Sequence, residues 1–515
     1  MPESGQSQGQ IRSAAGSHNI WLVAIVVSMA TFMEVLDTSI ANVSLPHIAG
    51  GLAASQDEST WVLTSYLVSN AIILPVSGWL SRVIGRKRFY LICVAVFGIS
   101  SLLCGLAPSL PILVLFRVLQ GLGGGGLSPS EQSILADTFP QEKRGQAFAL
   151  YGVAVVVAPT LGPTLGGLIT DNISWRWIFF INVPVCIASL CLASMLLEDP
   201  PQVEKEHAEA KKAAGRVDWL GFLLAAIGLG CMQVVLDKGQ EDDWFHSNLI
   251  LAFSVVSAFA ILFLIVWELN QDDPIVDLPL MKRSSFAAAM GVMFVTGFIL
   301  ISTTQMLPQY LQAVMGYNAT MAGLALTAGG VATLCMMPLA GMLIGKGFSP
   351  KYLIMFGLLV ETVGCFYYQG FNLEISFWHA AFGRVIQGVG LPFLFVPITT
   401  ASYADLPPGK SNNASALINT MRNLGGSWGI SIAVMIVARR AQFHHERLGE
   451  GVGALSRAFH STAGVGVRIT NSIVTRQASL LSYIDAFHML AIACLVALPV
   501  ALVLRKPRGG GEAAA

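Results

Sequence analysis

FRVLQGLG at residues 116–123 returns as GRVIQGVG at 383–390, and this repetition governs how the rest of the chain is read. Arg117 and Arg384 are separated by 384 − 117 = 267 residues, and Pro140 and Lys143 have counterparts Pro407 and Lys410 at the same offset. Upstream the offset becomes 352 − 90 = 262, linking Tyr90 to Tyr352 and Pro46 to Pro308. Agreement at several points marks a duplicated unit with a small insertion between its markers. The offset also exceeds the length of one copy, so further chain is inserted between the two.

The duplicated unit is apolar. Of 515 residues 54% are hydrophobic and only 12% charged, about half the charge of an ordinary soluble domain. Apolar runs long enough to cross the hydrocarbon, which takes about 20 helical residues, recur from Ile20 to Leu504. Six fall near 20–42, 59–80, 89–107, 111–134, 146–170 and 177–197, and two more near 219–236 and 248–268. The last six fall near 286–310, 319–345, 351–370, 379–400, 413–438 and 483–504. The expected fold class is an all-α polytopic membrane protein with 14 transmembrane helices, arranged six, two inserted, six. Parallel six-helix halves around a central path are the plan of the major facilitator fold.

The corresponding divisions are a disordered N-terminus (1–19), an N-terminal half (20–200), a linker with the inserted pair (201–270), a C-terminal half (271–505) and a short tail (506–515). Within the C-terminal half, a long loop is expected near 439–482. His444 and His445 lie in it and read as solvated. The inserted pair has few polar residues besides Gln233 and Glu268, so a peripheral, lipid-facing place is expected, with Gln233 away from the path.

Basic residues orient the bundle. Arg82, Arg86, Lys87, Arg88, Lys143, Arg144, Lys282, Arg283, Lys346, Lys351 and Lys410 share one set of loops, with Lys205–Arg216 and the tail Arg505, Lys506 and Arg508. The opposite loops are acidic around Asp57–Glu58 and Glu241–Asp243. The positive-inside rule therefore places both termini in the cytoplasm. The segment after residue 19 lacks a basic leader and reads as an uncleaved first helix. All eight cysteines lie in apolar runs without metal-ligand spacing and read as packing residues.

Glu34 and Asp37 stand in the first span, where a carboxylate costs roughly 2.5–3.5 kcal/mol at the bilayer centre. Three residues apart on a helix, they share a side with Thr38, Ala41 and Asn42. Neighbouring carboxylates in a dry site raise each other's proton affinity, so Asp37 and Glu34 are candidate proton-coupling groups; a capping or salt-bridging role is the alternative. Arg117, in the fourth span, cannot deprotonate and needs an acceptor; Asp37, Glu34 or a backbone carbonyl would serve. Glu131, Asn42 and Gln120 are candidates for the substrate path, with a proton relay or a headgroup contact as the alternatives for Glu131. GLGGGG (121–126) follows no strand and reads as close helix packing, not a phosphate loop. In APTLGPTLGGL (158–168), Pro159 and Pro163 loosen a helix whose face is Gly162, Gly166 and Gly167, suiting a bending or sliding contact; static close packing is the alternative. GWLSRVIGRKR (78–88), with Gly78, Gly85 and Arg86, forms a tight basic turn that can latch helix ends or hold anionic headgroups.

LDTSIANVSLP (36–46), RVLQGLGGG (117–125), APTLGPTLGG (158–167), WRWIFFINVP (175–184) and DPIVDL (273–278) resemble motifs of the fourteen-spanning drug:proton antiporters of the major facilitator superfamily, of the EmrB-type multidrug exporter kind. The resemblance implies proton-driven export of hydrophobic or amphiphilic toxic compounds across a bacterial inner membrane, with the proton gradient as energy source, no cofactor and no metal. It also implies partners, a periplasmic adaptor and a TolC-like outer-membrane channel. An uptake symporter and a dedicated exporter of one endogenous metabolite are the alternatives. The family's loop motif carries an acid where this chain has Arg82.

Overall fold

The computed structural model describes residues 19–199, 218–271, 274–404, 406–407, 409–455 and 465–504. The N-terminal segment before Asn19, most of the linker, Asp273 and the basic tail after Leu504 lie outside the described residues, and with them the expectations placed there.

Among the described residues there are fourteen long helices and no strand. The first half holds α1 (Ile20–Gly51), α2 (Trp61–Ile84), α3 (Arg86–Leu106), α4 (Leu110–Thr138), α5 (Arg144–Asn172) and α6 (Asn182–Leu196). The inserted pair is α7 (Trp219–Lys238) and α8 (Asn248–Leu269). The second half holds α9 (Ser284–Ala313), α10 (Ala319–Gly345), α11 (Pro350–Tyr367), α12 (Phe377–Ser402), α13 (Ser411–Leu455) and α14 (Val465–Leu502). Thirteen are long and apolar enough to cross a membrane; α13 is long enough but more polar than the others. The segment 439–482, expected to be a loop, continues α13 to Leu455 and begins α14 at Val465. Polar residues and glycines there point to a loop, but the segment contains no proline, and neither feature by itself stops a helix.

Helix ends alternate between a basic end, carrying Arg86, Lys143, Lys346 and Lys410, and an acidic end, carrying Asp57, Glu58 and Glu241–Asp243. Gly85, at φ +94°, makes the tight α2–α3 turn. The glycines after Gln120 wedge α4 between α2 and α3. A methyl group at Gly121 would lie 2.4 Å from the Tyr66 carbonyl oxygen, and one at Gly123 would lie 2.7 Å from the Phe97 nitrogen.

Pro163 cannot donate to the carbonyl four residues back, which is that of Pro159. Ser39 Oγ on α1 donates to that oxygen at 3.0 Å, and Gly162 lets α1 approach, since a Cβ there would lie 2.4 Å from Ser39 Cβ. Gly166 likewise faces the Ile40 backbone, and Gly167 is buried beside them. These glycines, expected at a sliding contact, thus pack α5 onto α1 of the same half. Contact with the other half uses Gly145, where a Cβ would lie 3.1 Å from the Gly341 oxygen, and α10 glycines set against Thr160 and Thr164.

The inserted α8 is the outer member of its pair: only 22% of its membrane window is buried, and Phe259, Leu262 and Phe263 are exposed. Its partner α7 packs inward against α2 and α13. Half of the inserted pair is therefore not peripheral. The crevice between α2 and α13 accepts it, and no local pattern in an apolar helix announces such a place.

Candidate functional site

Asp37 and Arg117 form a buried ion pair at 2.5 Å, 2% and 0% exposed. Around it hydrogen-bond partners come from α2, α4 and α6. Arg117 Nε donates to the Val62 carbonyl at 2.9 Å and Nη1 to Gln120 Oε1 at 2.8 Å. Gln120 Nε2 and Asn182 Nδ2 both donate to Asp37 Oδ1, at 3.1 and 2.7 Å. The guanidinium lies 4.4 Å from the Tyr66 ring centre, a cation–π contact. Asn182 also donates to Ser101 on α3. It was not singled out in the sequence, though it is the lone amide in the INVP stretch of α6.

Glu34, one turn earlier on α1, has a different setting. Its carboxylate accepts from Ser128 Oγ at 2.9 Å, Asn70 Nδ2 at 3.2 Å and the Tyr66 hydroxyl at 3.5 Å. It lies on the wall of a cavity of about 630 Å³ between the two halves. Thr38 and Asn42 share that wall, but Asp37 and Ala41 do not. The two carboxylates expected on one pore-facing stripe are thus divided, Glu34 to the cavity and Asp37 to the helix interface. Gln120, expected on the path, is fully buried as a partner of Arg117. Glu131 is fully buried, bonded to Ser28 of α1, and is also off the cavity wall.

The cavity runs from Glu34 to Thr60, Gln240, Glu241 and Gln309 at the acidic end. Leu63, Leu67, Val155, Leu300, Ile301 and Ile430 supply an apolar lining, and Asn423 joins Asn70 across it at 3.3 Å. Arg422 also lines it, held by the Tyr151 hydroxyl at 2.8 Å. Gln233, expected away from the path, lies on the wall and accepts from Ser427 Oγ at 2.9 Å.

The basic end is closed. Gln132 accepts from Asn419 Nδ2 at 2.9 Å, Ser133 bonds Asn412, and Tyr151 donates to Asn419 at 2.9 Å. Gly78 lies against the Asn412–Asn413 backbone. Arg86, 2% exposed, pairs with Asp137 at 2.6 Å and Asp199 at 3.7 Å, and Asp137 in turn accepts from Ser411 of the other half at 3.0 Å. With Arg82 in place of the usual loop acid, Asp137 from α4 supplies a carboxylate at this latch. In the DPIVDL stretch, Asp277 binds Lys410 at 2.5 Å and Asn413 at 3.0 Å, fixing the entry to α13.

The halves repeat this chemistry unequally. Arg384 on α12 donates to Thr303, Thr304 and Gln387, with no carboxylate among these acceptors. His444, expected in a solvated loop, shares Asp485 with Arg440, at 2.7 and 2.5 Å, joining α13 to α14. His445 meets Asn471 at 3.2 Å. Among the described residues no cluster has the makings of a metal site, and the eight cysteines are free.

Two six-helix units repeated in parallel around a cavity make a transporter architecture, and residues 27–430 match the Major Facilitator Superfamily. The chain belongs to that superfamily. Within it, the chain is similar to the probable multidrug resistance protein EmrY of Escherichia coli (strain K12). The two are 39% identical over 503 residues, 95% of this chain and 96% of that protein. The multidrug export protein EmrB of the same organism is 38% identical over 502 residues, with the same coverage. These relatives place the chain among the EmrB-type members of the superfamily. The crystal structure of the human organic anion transporter MFSD10 shares the fold at a TM-score of 0.62 and 12% identity, covering 94% of this chain and all of that one.

Proposed function

We propose that this major facilitator protein is a proton-coupled antiporter that exports hydrophobic or amphiphilic compounds across a bacterial inner membrane. The observation that carries the reading is the division of labour on α1. Glu34 faces a cavity large enough for a drug-sized molecule, while Asp37, one turn away, is paired with Arg117. In this reading Glu34 is open to exchange between a proton and a bound compound. Protonation of Asp37 weakens its hold on Arg117 and so loosens α1 from α4 when the halves rock. The multidrug export and resistance names of the similar Escherichia coli proteins support the substrate class.

With the basic end in the cytoplasm, as the positive-inside rule favours, the conformation described is open outward and sealed inward. The parts of α13 and α14 at the acidic end then extend outside the membrane. A periplasmic adaptor leading to a TolC-like channel is the partner we infer.

The test is a susceptibility panel in a pump-deficient host, with and without a candidate adaptor, alongside flux in proteoliposomes under an imposed pH gradient. Protection together with gradient-driven flux supports the reading. Accumulation down the proton gradient, in the direction of proton entry, would make the protein an uptake symporter. Flux of a single endogenous metabolite alone would make it a dedicated exporter.

A further inference from the structure

We propose that the inserted helix α7 is part of the substrate site, and that Asp237 on it selects organic cations at the open end of the cavity. The inference rests on the reading of that cavity as the place where compounds bind.

α7 contributes Gln233, Leu236, Asp237 and Gln240 to the cavity wall, filling the crevice between α2 and α13. Its register is fixed on both sides. Gln233 accepts from Ser427 of α13, and Thr64 of α2 donates to Asp237 Oδ2. The next residue, Lys238, does not line the cavity. Its ammonium is turned to Glu241 at 2.5 Å and to Thr60 and the Asp57 carbonyl. Lys238 and Glu241 thus balance each other, and Asp237 brings its charge to the wall beside them.

Arg422 is the cation on the opposite wall, but it sits deeper. Gln233 and Ser427 set the level of α7 against α13. Asp237 lies four residues from Gln233 toward the acidic end, and Arg422 five residues from Ser427 toward the basic end. At about 1.5 Å per helical residue this puts them roughly 13 Å apart along the axis, too far for Arg422 to pair with Asp237. The mouth of the cavity therefore carries a carboxylate set among apolar and amide side chains. This chemistry suits a lipophilic monocation: apolar surface for its body and a partly dehydrated carboxylate for its charge.

The test is binding to the purified full-length protein in detergent, with tetraphenylphosphonium as cationic probe and N-phenyl-1-naphthylamine as neutral probe. Asp237→Asn keeps an acceptor for Thr64 and removes only the charge. We expect it to weaken tetraphenylphosphonium binding by about tenfold and to leave the neutral probe unchanged. Asp237→Glu should restore the cation, and Asp243→Asn, on the loop beyond α7, should change neither. Equal loss of both probes in Asp237→Asn, unchanged affinity for the cation, or no binding of it by the unaltered protein would each overturn the assignment. Binding in detergent does not depend on a proton gradient. Failure of gradient-driven flux with cation selectivity intact would thus overturn the antiporter reading alone.

Discussion

Asp37 on α1 and Thr304 on α9 each bond a buried arginine 80 residues further along the chain. Asp37 gives Arg117 a carboxylate, and Thr304 gives Arg384 a hydroxyl at 2.7 Å. Arg384 nonetheless keeps the glutamine one turn on, as Arg117 does. The repeat has preserved the arginine and the amide, but in the second half the buried acid, Glu361, comes from α11 and not from the helix that bonds the arginine.

Asp37→Asn should therefore leave a folded protein that still binds compounds but no longer couples them to protons. The asparagine oxygen can accept from Arg117, yet it cannot titrate. Thr304→Ala, which removes one hydrogen bond from a charged guanidinium worth about 1.5–3 kcal/mol, should retain coupled flux. Gradient-driven flux in proteoliposomes separates the two, and equal behaviour of both variants would count against a special role for Asp37. Arg117→Ala should be worse for folding, since breaking a buried ion pair costs about 3–5 kcal/mol. Thermal unfolding in detergent measures that loss.

Glycines on α5 should divide by which surface they serve. Gly162→Leu drives a side chain into Ser39 and the α1 backbone and should lower the melting temperature, because overpacking costs about 1–3 kcal/mol or more. Gly341→Ala meets the Gly145 carbonyl at 2.9 Å in the other half. It should slow turnover more than it lowers the melting temperature. The reverse pattern would place the moving contact between α1 and α5.

Asp137→Asn removes a charge that joins Arg86 to Ser411 across the halves. The closed basic end should then open more often. A cysteine at Gln132, buried behind that closure, should react faster with a water-soluble maleimide in the Asp137→Asn background. No change in rate would mean that Ser133–Asn412 and Tyr151–Asn419 close the end without Asp137.

Orientation is open to a direct check. Lys143 and Asp242 are exposed at opposite ends of the bundle. A single cysteine at 143 should be labelled only from the cytoplasm, and one at 242 only from outside. Reversal of either would upset the proposed direction of the cavity.

Much of this arrangement was legible in the sequence. The paired FRVLQGLG and GRVIQGVG segments, with long apolar runs, led to six, two and six helices, and a buried arginine in a span demanded an acceptor such as Asp37. Close packing at GLGGGG followed from residue size. What could not be read was which neighbour each helix meets. An amide in a membrane span needs a polar setting, and for Gln120 Arg117 and Asp37 provide it in place of the path. Gln233 looked peripheral because α7 is apolar, and only its lodging between α2 and α13 turns that amide to the cavity. Glu34 and Asp37 lie about 60° apart around a helix, enough to place one on a cavity and the other against α4. Arg422 and Asn182 are single polar residues with no motif in the sequence to mark them.

The central claim, exchange of protons for compound through the Glu34 cavity, is tested most directly by proton counterflow. Proteoliposomes loaded with pyranine report internal pH while a transported compound is driven through the protein by its own concentration gradient. The account expects compound moving one way to draw protons the other way. Asp37→Asn should abolish that signal, and Glu34→Gln should remove or strongly reduce it. Compound flux of normal size with no movement of protons, or with protons moving in the same direction, would contradict it.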